Sequence, residues 1–177
     1  MPYMSIGYGD LTLRLVVAMI AGAIIGYERT KAKKPAGIRT HALVCIASAS
    51  LTILSAYGLS EFIPTRNMDP LRLAAQIVSG IGFLGAGVIW KQSGGEIRGL
   101  TTATNIWAVA GLGIAAGLGH YYLVALTIVL LKIALKIASI LEFFGLLKYE
   151  DDDKPFPDPT AQAKDKSKIQ QNNDDWH

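Results

Sequence analysis

An 18-residue apolar run, Leu73 to Trp90, carries four glycines, Gly80, Gly82, Gly85 and Gly87. This narrows what the chain can fold into more than anything else in it. In water each glycine inside a helix costs about 1 kcal/mol relative to alanine. In a bilayer the balance changes, because small residues let helix backbones approach closely and packing replaces the missing hydrophobic drive. The run reads as a tightly packed helix of a membrane protein. Its Gly80-x-Gly82-x-x-Gly85 spacing also matches the dinucleotide-binding pattern letter for letter. That pattern needs a strand before it and a βαβ unit around it, and an apolar helix supplies neither. Helix packing is the better account, supported by Gly22-x-x-x-Gly26 and Gly113-x-x-x-Gly117.

The wider sequence agrees. Of 177 residues 51% are hydrophobic, and the polar stretch from Tyr149 to His177 concentrates them in the preceding 148. Five segments approach the ~20 residues that a helix needs to cross a hydrocarbon core. They are about 11–27, 41–59, 73–90, 102–118 and 121–141, which predicts an all-α integral membrane bundle over residues 1–148. Residues 149–177 open on Glu150-Asp151-Asp152-Asp153 and hold three prolines with few aliphatics. Such a segment cannot bury enough apolar surface to offset its chain entropy, so a disordered polar cytoplasmic tail is expected. Its acidic cluster can hold a divalent cation weakly, but a solvated segment is the simpler reading. No basic residue lies in Met1–Asp10, so the first apolar segment is expected to stay in the mature protein.

Charge sets the orientation. The first connection carries Arg29, Lys31, Lys33, Lys34 and Arg39, and the third carries Lys91 and Arg98. The C-terminal segment has Lys148, Lys154, Lys164, Lys166 and Lys168, whereas the second connection has only Arg66 and Arg72, and Arg14 lies near the outer end of helix one. The positive-inside rule then gives N-terminus out, C-terminus in, and five crossings. This use of basic residues points to orientation and lipid contact, with no nucleic-acid partner. Helix five is ambiguous. Lys132 falls ~16 Å beyond Tyr121 along a helix, near mid-bilayer. With Lys136 and Ser139 it forms a polar stripe, which faces protein or water if the helix spans. The alternative is an interfacial amphipathic helix and four crossings.

Two polar blocks exceed what membrane insertion requires. Glu28 and Arg29 end helix one, and Pro35-Ala36-Gly37 turns the chain to Arg39-Thr40-His41 at the start of helix two. A polar cluster with Glu28 facing Arg39 fits there, either as structural pairing or as a functional site. Arg98-Gly99-Leu100-Thr101-Thr102-Ala103-Thr104-Asn105 then crowds the start of helix four. Capping its orphan N–H groups takes one or two of these side chains. The surplus, with Gln76 and Ser79 of helix three, can bond across helices or line a polar cavity. Trp107 would be a packing or interface residue. Cys45 stands alone in helix two as a small hydrophobe, and the three histidines show no zinc spacing. There is no Walker A motif and no Gly-x-Ser-x-Gly, and the apolar interiors hold no carboxylate apart from the flanking Glu28 and Glu142. Proton- or sodium-coupled pumps usually need such an acid.

Three blocks together resemble the MgtC/SapB family of bacterial membrane proteins. They are Gly26-Tyr27-Glu28-Arg29 with Pro35-Ala36-Gly37-Ile38-Arg39-Thr40-His41, then Val78 to Ile89, then Arg98-Gly99-Leu100-Thr101-Thr102-Ala103 with Trp107. The resemblance covers roughly residues 10–140. It implies a multi-pass protein of the bacterial inner membrane tied to magnesium homeostasis, in a family that carries the label of Mg²⁺ transporter. Some members act instead as regulators that restrain ATP synthase, affect phosphate uptake and aid survival when Mg²⁺ is scarce. Some also end in an ACT-like cytoplasmic domain, for which the polar tail is too short. The expectation is a non-catalytic regulator of a membrane ATPase or transporter. The alternative is a transporter or channel for Mg²⁺ or another small solute. Candidate functional residues are Glu28, Arg29, Arg39, Thr40, His41, Gln76, Ser79, Arg98, Thr101, Thr102, Asn105 and Lys132. Candidate helix-packing residues are Gly22, Gly26, Gly80, Gly82, Gly85, Gly87, Gly113 and Gly117. No cofactor is expected, with Mg²⁺ only an effector or solute. Small-residue surfaces also suggest a homodimer.

Overall fold

The computed structural model describes residues 6–58, 72–91 and 96–146, without the side chains at positions 73, 138–140, 142 and 143. The expected tail, most of the second connection and the Ser139 side chain lie outside the described residues. Five helices carry the fold, namely α1 (Tyr8–Lys31), α2 (Ile38–Tyr57), α3 (Arg72–Gly87), α4 (Leu100–Gly117) and α5 (Tyr121–Phe143). Of these, α1, α2 and α4 are long and apolar enough to cross a membrane. At 1.5 Å per residue the 16 residues of α3 make about 24 Å, short of a ~30 Å core, whereas the 23 of α5 make about 35 Å.

The bundle is built around α2. Glycines on two different helices let α1 and α4 close on one face of it, side by side. A Cβ on Gly22 would stand 2.5 Å from the His41 carbonyl oxygen and 2.8 Å from Ala42 Cα, and one on Gly26 would stand 2.7 Å from Ile38 Cα. Further along the same face, a Cβ on Gly113 would overlap the Cys45 carbonyl oxygen and sit 2.7 Å from Ser48 Cβ. One on Gly117 would meet the Ala49 carbonyl oxygen at 2.8 Å. Bare glycine is what permits backbones this close, and the dispersion attraction between them holds the helices together where lipid offers no hydrophobic drive. Ala18, Ala21, Ile25, Cys45, Ala49, Val109, Leu112 and Ala116 fill the space between these crossings.

The glycines of α3 behave differently. A Cβ on Gly85 would stand 3.7 Å from Ala103 Cβ, an ordinary contact, and one on Gly80, Gly82 or Gly87 would meet nothing within 4 Å among the described residues. The densest glycine run is therefore not the packing centre of this chain. Along α3 the small residues Ala75, Ser79, Gly82 and Ala86 form one exposed stripe, flanked by Phe83, which is 83% exposed. The close packing promised by the glycines occurs elsewhere, around α2.

The helices start up to three residues earlier than expected, and two of the changed ends have a visible physical reason. Helix one runs on through Lys31, because Arg29 in its last turn points inward and is buried. Helix three stops at Gly87 instead of Trp90. Val88 and Ile89 donate to Gly85 and Ala86 in a tightening turn. Trp90–Lys91 (β1) then pairs antiparallel with Ile97–Arg98 (β2), adding a short ribbon to an otherwise helical chain. The ribbon ends at Gly99, whose φ of +88° is a left-handed conformation, and a Cβ there would overlap the Val88 carbonyl oxygen. Only glycine fits both demands, and the chain can then enter α4.

Candidate functional site

Polar side chains gather at both ends of the bundle. At the end where α1 finishes and α2 and α4 begin, five of them are buried: Arg29, His41, Arg98, Thr102 and Asn105. Arg29 reaches across from α1 and donates from Nη2 to Thr102 Oγ1 in the first turn of α4. Asn105 follows Thr102 by three residues, so both lie on one face of α4. Its Nδ2 is buried without a hydrogen-bond partner among the described residues. On α2, His41 Nδ1 lies 2.8 Å from the Gly37 carbonyl oxygen. A carbonyl can only accept, so Nδ1 carries the proton and the buried Nε2, also without a described partner, presents a lone pair. Arg98 leaves the ribbon into buried space and is bonded to the half-exposed Glu96. The connection between α1 and α2 is fixed by Thr30, whose Oγ1 accepts the Ile38 N–H at 2.8 Å.

This end unites Arg29, His41, Arg98, Thr102 and Asn105, but the other candidates go elsewhere. Arg39 and Thr40 are not among its buried polar groups. Glu28 does not face Arg39; its Oε1 takes Lys132 Nζ at 3.4 Å and Lys136 Nζ at 3.8 Å. The cause is helix packing: α5 lies beside α1, which brings both lysines to the last turn of α1. Lys132 thereby reaches with its long stem to a carboxylate in the last turn of α1. Gln76 lines an apolar groove of about 440 Å³ between α2 and α3, together with Leu43, Ala47, Ser48 and Ile77. Ser79 sits on the exposed face of α3. Thr104 is spent on its own helix, bonding the Leu100 and Thr101 carbonyls at 3.1 and 3.0 Å. Thr101 is half-buried, and Trp107 is 54% exposed, as suits a residue facing lipid or a partner.

The opposite end holds a cluster that sequence reasoning missed. Arg14 Nη1 donates to Tyr57 Oη at 2.9 Å and to the Gly117 carbonyl at 2.8 Å, and its Nη2 meets Asp10 at 2.7 Å. Its guanidinium also lies 5.1 Å from the Tyr57 ring centre. Tyr121 donates to Asp10 at 3.3 Å. One arginine thus ties the ends of α1, α2 and α4 together, with α5 joined through Asp10. An arginine inside an apolar segment was the available signal, since such a charge demands partners. Those partners lie 43 and 103 residues away, out of reach of any local pattern.

The three carboxylates with described side chains each hold a cation: Asp10 with Arg14, Glu28 with two lysines, and Glu96 with Arg98. No group of three or more His, Cys, Asp or Glu able to hold a metal occurs among the described residues. Acids already neutralised by arginine and lysine are poor ligands for Mg²⁺, which wants near-octahedral oxygen around it.

A helical bundle with three membrane-length apolar helices, locked by arginine at one end and carrying a buried basic and polar centre at the other, is a membrane protein of the multi-helix kind. More particularly, the chain belongs to the MgtC family, whose model matches residues 15–144. It is 47% identical to Protein SapB of Bacillus subtilis strain 168, over 63% of this chain and 49% of that protein. It is 49% identical to Protein MgtC of Salmonella typhimurium LT2, over 62% of this chain and 44% of that one. A third relative, YhiD of Escherichia coli K12, is named as a candidate magnesium transporter and is 43% identical over 64% of this chain and 54% of its own length. The chain thus spans about half the length of the curated relatives it matches. No solved structure matches it.

Proposed function

We propose that this chain acts in Mg²⁺ homeostasis as a non-catalytic regulator in the bacterial inner membrane, working through helix contacts with a membrane ATPase or transporter. The proposed topology has five crossings with the N-terminus outside, which puts the Arg29–Thr102 end and the basic first connection in the cytoplasm. The name borne by the E. coli relative supports the link to magnesium. Support for regulation over conduction comes from where the glycines are used. Those of α1 and α4 close the interior onto α2, while Gly80, Gly82 and Gly87 of α3 leave a small-residue face open. A surface that lets another backbone approach closely suits a transmembrane helix of the regulated protein. Of the polar side chains expected to surround a cavity, Ser79 is turned to the exposed face of α3 and Thr104 is bonded within its own helix.

The test is Gly82→Leu. Its new side chain enters open space, so the purified variant should unfold within a few degrees of the parent. It should also lose most of its co-isolation with the ATPase or transporter from native membranes, and its effect on membrane ATP hydrolysis. If ATP hydrolysis and the co-isolating partners are the same with the parent, the variant and no protein at all, the regulator reading fails. Should the only partner recovered be a second copy of the chain, the α3 face is a homodimer surface instead.

A further inference from the structure

The Glu28–Lys132–Lys136 group serves neither the buried polar centre nor the α3 face, and it leaves a charge unbalanced. One carboxylate faces two ammonium groups, at 3.4 and 3.8 Å. The lysine side chains remain 40% and 64% exposed, so both ammoniums have donors to spare. Directly beside them runs a groove of about 380 Å³ along the wall of α1, lined by Ile20, Ala23, Ile24, Tyr27, Ile38 and Lys132. All of its lining residues except Lys132 are apolar or aromatic. From Ile20 to Tyr27 the groove follows α1 for about 10 Å, at 1.5 Å per residue. It opens outwards, since Ile20 and Tyr27 are 47% and 58% exposed.

An apolar trough lying along a membrane helix, capped at the helix end by a net positive charge, matches one kind of occupant. The geometry points to a binding site for an anionic phospholipid, with its phosphate on Lys132 and Lys136 and an upper acyl segment in the α1 groove. Charge complementarity selects the headgroup, because the two lysines exceed the one acid. A zwitterionic lipid would bring its own cation to the same place and gain less. Basic clusters between membrane helices recognise anionic headgroups on these terms. Lys132 has a second task here. Its long stem covers the trough while the ammonium reaches the headgroup level, so one residue contacts both parts of the lipid. Glu28 sets the strength, holding the lysines in place while cancelling half their charge. The inference needs only that α1 and α5 lie in the bilayer, and it stands whether or not the chain regulates a partner.

The test uses the full chain in detergent micelles containing equal phosphatidylglycerol and phosphatidylcholine, with bound lipid read by native mass spectrometry. The parent should retain phosphatidylglycerol preferentially. K132Q/K136Q should lower that preference roughly tenfold or more. Ala23→Phe, which fills the trough and keeps every charge, should reduce retention of lipid as a whole. E28Q should raise the preference, because it uncovers positive charge; a purely structural ion pair would predict loss of folded protein instead. Three results would overturn the proposal: equal retention of both lipids by the parent, an unchanged preference in K132Q/K136Q, or displacement of the lipid by millimolar inorganic phosphate. The last would make the lysines a site for free phosphate.

Discussion

Replacing Gly113 by leucine is expected to abolish the folded bundle. A side chain there must enter at the Cys45 carbonyl oxygen and within 2.7 Å of Ser48 Cβ, against the backbone of a neighbouring helix. Backbone cannot swing aside as a flexible side chain does. Overpacking in a well-packed core costs about 1–3 kcal/mol and sometimes more. With two helices forced apart, roughly 3 kcal/mol or more is expected at this site. Membrane levels of the variant and its thermal unfolding in mild detergent measure this directly. Gly82→Leu is the paired control, since it adds the same atoms where nothing lies within 4 Å. It should shift stability by no more than about 1 kcal/mol, and in the favourable direction if the better helix propensity of leucine is felt. Equal damage from both would mean that glycine matters to the backbone of these helices and not to their approach.

The second large effect is expected at Arg29. The residue is only 6% exposed, and its guanidinium is bonded to Thr102 across the α1–α4 contact. Arg29→Met removes a charged donor from a buried acceptor, and about 2–3 kcal/mol should be lost. Thr102→Val leaves the arginine without that oxygen and should cost about 1–3 kcal/mol. The double variant should cost less than the sum of the two, because the bond between them can be lost only once. A coupling of about 1 kcal/mol or more, from unfolding midpoints of the four proteins, is the expected outcome. Arg29→Lys should not restore stability, since an ammonium lacks the planar fork that spans the gap. Additive losses would show that Arg29 and Thr102 act separately.

How far the sequence could be read depended on how far apart the interacting residues lie. Hydrophobic segments and loop charges are local, and they were enough to indicate a helical membrane protein. Spacing of small residues is also local, and it marks surfaces lacking bulk without saying what fills them. Gly22, Gly26, Gly113 and Gly117 meet α2 or the turn that leads into it, whereas the more conspicuous Gly80, Gly82 and Gly87 meet nothing among the described residues. The pattern has the same form in both cases. Polar pairing was harder still. Glu28 invites pairing with Arg39 because the two flank one short turn, yet its partners lie 104 and 108 residues further on, in α5. Arg29 reads as one more charge in an orienting loop. Its inward direction follows from helical continuation past Tyr27, which hydropathy alone hides. Trp90 shows a third kind of difference: an apolar residue at the end of a helical run that a ribbon of four residues claims instead.

These interactions share one consequence for function. The interior is closed by backbone approach around α2, the two ends are pinned by Arg14 and Arg29, and the described carboxylates are held by cations. The stripe of small residues on α3 stays exposed among the described residues. On the regulator reading proposed above, that face is what another membrane protein recognises, and the chain itself passes no ion.

Mg²⁺ uptake into liposomes containing only this chain, read with an enclosed fluorescent Mg²⁺ indicator, tests that account most directly. The account predicts uptake equal to that of protein-free vesicles, for the parent and for Arg29→Met alike. Saturable, protein-dependent uptake that Arg29→Met or Thr102→Val abolishes would contradict it, and would make the buried polar centre part of a transport path.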